Sequence, residues 1–98
     1  MKIVFLESAR KDVRDAYDWY EAKQGGLGNK FVQEVIEYSQ KLKQMNIEYR
    51  KYIADTQYIR LQRFPFSIFF LKETDKQVSI IAVLFNRQDI LKILRKRK

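Results

Sequence analysis

The apolar residues of this chain follow two rhythms, one helical and one extended. Lys2–Leu6 is a short β-branched, apolar run of strand length. Ala9, Val13, Ala16, Tyr17 and Tyr20 then recur at three- and four-residue spacings, with Lys11, Arg14, Asp15 and Asp18 opposite them. This pattern predicts an amphipathic helix from about Ala9 to Ala22. Ser8 is placed to cap it, and Asp12 falls near its first turn. Gly25, Gly26 and Gly28 break the chain, which predicts a turn between two helices. A second helix is expected from about Asn29 to Met45, with Phe31, Val32, Val35, Ile36, Ser39, Leu42 and Met45 on one stripe and Asn46 ending it.

Beyond Arg50 the period shortens to two. Tyr58, Arg60 and Gln62 alternate with Ile59, Leu61 and Arg63. Pro65 marks a turn or strand edge before the run Phe66–Leu71. Thr74-Asp75-Lys76 reads as a hairpin turn. Val78–Phe85 is apolar except for Ser79, as expected of a central strand buried on both faces. Asp89 is placed to cap a short helix with Ile90, Leu91, Ile93 and Leu94 turned inward. The order predicts an α+β fold: an N-terminal strand, a helical hairpin packed on a mostly antiparallel four-stranded sheet, and a short C-terminal helix. The sheet face away from the hairpin, carrying Arg60, is expected to be a concave basic surface.

At 98 residues the chain fits a single domain over 1–98. It has no cysteine and no histidine, which removes disulfides, thiolate metal sites and imidazole-based catalysis. No metal or cofactor is expected. The N-terminal apolar run is shorter than a signal-peptide core, and no stretch approaches a membrane span; a soluble cytoplasmic protein without a membrane partner is the expectation. The glycine cluster is not a phosphate loop, because no Gly-Lys-Ser/Thr follows it.

Charge is strongly segregated. Residues 1–49 carry 8 basic and 8 acidic side chains, whereas residues 50–98 carry 12 basic and 4 acidic ones and hold the entire net charge of +8. A basic half of this kind attracts a polyanion or an acidic protein segment.

Three blocks resemble the RelE/ParE superfamily of toxins. They are Tyr20-Glu21-Ala22-Lys23 followed by Gly26-Leu27-Gly28-Asn29-Lys30-Phe31; Arg60 followed by Arg63-Phe64-Pro65-Phe66-Ser67-Ile68-Phe69-Phe70; and Val78-Ser79-Ile80-Ile81-Ala82-Val83 with Arg87 and Asp89. The resemblance implies the toxin of a type II toxin–antitoxin pair of the plasmid-stabilisation kind, neutralised by a cognate antitoxin protein. Such toxins either cut mRNA in the ribosome or inhibit DNA gyrase, so the fold does not decide the mechanism. Aligned with the ribonuclease members, Arg60 and Arg87 match two basic positions. Tyr58 stands for an expected Lys, Ser67 for an Arg, Ile93 for a tail Tyr, and Phe85 for a His that many relatives carry.

These positions define the candidates. For a metal-independent endoribonuclease, Arg60 and Arg87 would grip the phosphate and Tyr58 would handle a proton. Arg63, Arg95 and Arg97 are candidates for binding target or antitoxin. The alternatives are a non-enzymatic gyrase inhibitor and an inactive antitoxin-binding relative. Simpler structural readings also exist: Arg60 paired with Asp55 or Asp75, Arg63 as an edge-strand charge, and Tyr17, Trp19 and Tyr20 as helix packing.

Overall fold

The computed structural model describes residues 1–44 and 48–97. The chain runs β1 (Lys2–Phe5), α1 (Glu7–Lys23), α2 (Leu27–Lys41), β2 (Arg50–Ile53), β3 (Thr56–Arg60), β4 (Phe66–Thr74), β5 (Gln77–Phe85) and α3 (Ile90–Lys96). One sheet has the order β1-β5-β4-β3-β2. β1 lies parallel to β5 and every other pair is antiparallel. The α+β expectation holds, with five strands in place of four.

The additional strand is β2. Arg50, Lys51 and Tyr52 are exposed and Ile53 is half-buried, so this edge strand carries no apolar alternation. Its turn onto β3 is Ala54-Asp55, with Ala54 at φ 49. A non-glycine residue in the left-handed region gives no turn signature of the Asn-Gly kind. The predicted Met45 and Asn46 positions lie outside the described residues; within them, α2 ends at Lys41.

Two apolar layers sandwich the sheet. Phe31, Val35 and Tyr38 of the hairpin pack with Ile68, Phe70, Val78, Ile80 and Val83. On the opposite face Ile90 and Leu94 of α3 cover Phe69, Leu71, Ile81, Ala82 and Leu84. A register shift pairs Phe69 with Ala82 but Phe70 with Ile80. It leaves Ile81 as an extra residue, so Ile81 and Ala82 both serve the α3 layer while Ile80 and Val83 serve the hairpin layer.

The hairpin is closed by a carboxylate. Gly26 takes φ +90, open to glycine without strain. A Cβ at Gly28 would lie 2.6 Å from the Tyr17 carbonyl oxygen, so α1 and α2 cross where only glycine fits. Glu21 of α1 accepts the N–H groups of Gly26 (3.1 Å), Gly28 (2.8 Å) and Asn29 (3.3 Å). It thereby caps α2, whose own N-cap has no side chain. The Gly26 N–H, followed by those of Gly28 and Asn29, holds the Glu21 carboxyl below the usual range against a desolvation cost.

Ser8 does not cap α1. The helix begins at Glu7 with Leu6 at the N-cap, and no side chain caps it. The Ser8 hydroxyl instead donates to the Ile81 carbonyl (3.1 Å), and Asp12 accepts the Val83 N–H (3.0 Å). β1 ends where Phe5 pairs with Ile80, and β5 continues past it. Side chains one helical turn apart on α1 therefore replace the missing strand. Asp12 also takes both terminal nitrogens of Arg97, Nη2 at 2.9 Å from Oδ1, and Nη1 reaches the Ile81 carbonyl at 3.3 Å. Ile36, expected on the inner stripe, is 51% exposed; the buried face of α2 is centred on Phe31, Glu34, Val35 and Tyr38. Buried Glu34 accepts the Arg63 backbone N–H with both oxygens (3.2 and 3.0 Å).

Two outcomes follow for stability. Replacing Asp12 by Ala leaves the Val83 N–H and the Arg97 guanidinium without their acceptor. It should cost about 2–3 kcal/mol in urea unfolding, with Asp12→Asn recovering part of that. Because its folded-state pKa is lowered, Glu21 contributes stability that is full above its unfolded pKa and is lost as pH falls through the folded value. Thermal unfolding of Glu21→Gln should thus lie below that of the parent above about pH 5, and the two should converge in stronger acid.

Candidate functional site

The exposed part of the α3 face is a small hollow where three strands and the start of α3 meet. Register brings its walls together: Arg60 lies opposite Ser67 and Tyr58 opposite Phe69. The two-residue period puts Tyr58 and Arg60 on one face of β3, and Ser67 and Phe69 on the same face of β4. Tyr52 joins from β2, Asn86 from the turn after β5, and Ile90 from the first turn of α3, enclosing about 110 Å³.

Each wall is held. The Tyr58 and Phe69 rings stack at 5.9 Å, and the Tyr52 ring meets both edge-on, at 5.8 and 5.4 Å. Ser67 is buried and its hydroxyl donates to the Asn86 side-chain oxygen at 2.6 Å. The Asn86 N–H bonds the Pro65 carbonyl at 2.8 Å. The turn beyond is closed by the Phe85 N–H on the Gln88 side-chain oxygen (2.8 Å), and Asp89 accepts the Lys92 N–H at the start of α3 (3.4 Å), as its predicted capping role requires.

The structure therefore brings Tyr58 and Arg60 into one site. Arg87 stands exposed in the adjoining turn, and its neighbour Asn86, not Arg87, lines the hollow. Arg60 pairs with neither Asp55 nor Asp75: the ion pairs among the described residues are Lys11–Asp15 and Arg97–Asp12. Arg63 lies in the loop between β3 and β4 and is anchored through its backbone by Glu34, with an exposed side chain. Arg95 is exposed on α3. Arg97 is committed to Asp12 and Ile81, so it fastens the end of α3 to α1 and β5.

Sequence reasoning missed Tyr52, Ser67, Phe69, Asn86 and Ile90 as walls of this hollow. Tyr52 was hidden because β2 shows no apolar period; Ser67 and Phe69 are drawn in by sheet register, and Asn86 and Ile90 by the turn and helix that follow β5. Trp19, read as packing, is 57% exposed, touched by the Tyr20 ring edge at 5.1 Å and by the Lys23 ammonium at 4.7 Å. It borders a groove of about 530 Å³ with Ala16, Tyr20, Pro65, Phe66 and Phe85.

Chemically, the hollow offers one guanidinium, the hydroxyls of Tyr52, Tyr58 and Ser67, and a carboxamide against aromatic walls; none of its lining residues is a carboxylate or imidazole. It can hold an anion beside a flat ring. Among the described residues no His/Cys/Asp/Glu group could hold a metal ion, and no helix is long and apolar enough to cross a membrane.

The relatives agree with this architecture. A family model described as the ParE toxin of the type II toxin–antitoxin system parDE matches residues 3–90. A solved structure described as the chromosomal ParDE toxin–antitoxin system from P. aeruginosa is similar, with 25% identity and a TM-score of 0.76 over 85% of this chain and 92% of that one. No curated protein matches in sequence. With the family matched across the hairpin, the sheet and the start of α3, the chain belongs to the ParE toxin family of type II toxin–antitoxin systems, within the RelE/ParE superfamily.

Proposed function

We propose that this toxin arrests growth by binding DNA gyrase and that it does not cut RNA. The observation that carries this reading is the make-up of the hollow. Cleavage by the 2′-OH needs a group to take the hydroxyl proton, cations for the phosphorane charge and an acid for the leaving oxygen. Arg60 supplies one cation, and arginine stays protonated, so it serves as neither base nor acid. For the two proton transfers the hollow offers the phenols of Tyr52 and Tyr58, with no carboxylate or imidazole among its lining residues. Ser67, at the position where an arginine is expected in the ribonucleases, is tied to Asn86. The match to the ParE family supports the same choice.

The competing ribonuclease reading draws support from Tyr58 and Arg60 sharing one hollow. Neutralisation by the cognate antitoxin fits an acidic segment laid over the basic half and α3, where Arg95 is exposed; Arg97, held by Asp12, is not part of that contact.

The expected outcome is loss of gyrase supercoiling activity on addition of the purified toxin, restored by the antitoxin, with no new mRNA cuts on translating ribosomes. Tyr58→Phe should leave growth arrest unchanged. Ribosome-dependent cuts that fall about 30- to 1000-fold in Arg60→Ala, the loss expected for one transition-state contact of about 2–4 kcal/mol, would establish the ribonuclease instead.

A further inference from the structure

We propose that the α3 face of the sheet holds a single strand of DNA, its phosphates on Arg60 and the α3 cations and a base stacked on Tyr52. The choice of DNA rests on the gyrase reading; the strand-binding chemistry rests on the face itself.

Lys92, Arg95 and Lys96 are exposed and line one hollow on α3. Among the described residues none of them is in an ion pair, and Asp89, the carboxylate of that hollow, accepts the Lys92 backbone N–H. Arg95 also borders the β2–β3 turn with Ile53, Asp55 and Leu94, while Ile90 at the other end of α3 closes the hollow of Tyr52, Tyr58 and Arg60. The basic strip and the aromatic hollow are therefore joined by one short helix. Ile90 to Arg95 spans about 8 Å at the helical rise, about two steps of a strand at the stacked spacing, and the strand extends past both ends of this span to reach Arg60 and Lys96.

The aromatic half decides the kind of partner. Tyr52 is 43% exposed, and its ring is fixed edge-on against Tyr58 and Phe69. A rigid, half-open ring beside a guanidinium matches a base and its phosphate. An acidic peptide would use the cations and leave the ring idle, and a duplex keeps its bases stacked inside.

The test is fluorescence anisotropy of the full-length toxin with an oligothymidylate of about 12 nucleotides, a hairpin duplex, an oligouridylate and a polyglutamate peptide. Four phosphate contacts predict a slope of log K against log salt of about −3 for the single strand. Lys92→Gln and Lys96→Gln should each flatten it by about 0.7. Tyr52→Leu keeps apolar packing but removes the flat ring, and should weaken binding about 5- to 150-fold with the slope unchanged, whereas Tyr52→Trp should bind as the parent does. No binding at about 50 mM salt, a duplex bound as tightly as the single strand, or cation variants with an unaltered slope would overturn the proposal. So would oligouridylate bound more tightly than oligothymidylate, or polyglutamate bound in preference to both. Supercoiling inhibition measured on the same preparations separates the two readings. Inhibition without strand binding overturns this inference alone, and strand binding without inhibition overturns the gyrase reading alone.

Discussion

β5 outruns its parallel partner, and the rest of the molecule is arranged around that mismatch. Past Phe5 and Ile80 there is no strand on the β1 side of β5, so its Ile81 carbonyl and Val83 N–H must find partners elsewhere or remain unpaired inside the protein. Ser8 and Asp12 on α1 meet them. The second oxygen of Asp12 then becomes an acceptor for Arg97. One carboxylate thereby ties helix, sheet and C-terminal helix together. α3 buries only Ile90 and Leu94, little apolar area for a seven-residue helix to hold itself in place, and the Arg97 pair fixes its end.

The same arrangement shapes the working face. β4 and β5 are buried on both sides, so each side needs a cover. The helical hairpin is broad enough to supply one. α3 is short: it seals the sheet over Phe69, Ala82 and Leu84 and leaves open the end of the sheet by Arg60 and Ser67, beyond Ile90. The uncovered remainder is the hollow of Tyr52, Tyr58 and Arg60, with Ile90 of α3 at its edge. The site thus sits where a cover of limited length leaves the sheet open, on side chains held by strand pairing and ring packing.

Much of this was readable in the residues. The hairpin, β4, β5 and α3 announce themselves because burial dictates their periodicity, and the three family-like blocks fall on those elements. What escaped was set by pairing rather than burial. β2 is an edge strand with exposed Arg50, Lys51 and Tyr52. Ser8 and Asp12 are residue types that cap helices, and nothing local reveals that β1 stops early and leaves them β5 to serve. Glu34 looks solvent-facing until the Arg63 N–H arrives from a distant loop. At the site, Tyr58 and Arg60 follow from a two-residue period, but a one-residue offset after β5 puts Asn86, not Arg87, on the wall.

The central claim is that the toxin works through the α3 face, by binding. Backbone hydrogen exchange of the toxin, free and in complex with gyrase and DNA, addresses it directly. The account predicts that protection gained in the complex falls on the β2–β3 hairpin, the turn at 86–89 and α3, with α1 and α2 unchanged. Protection confined to the helical hairpin around Trp19, with α3 exchanging as in the free protein, would contradict it.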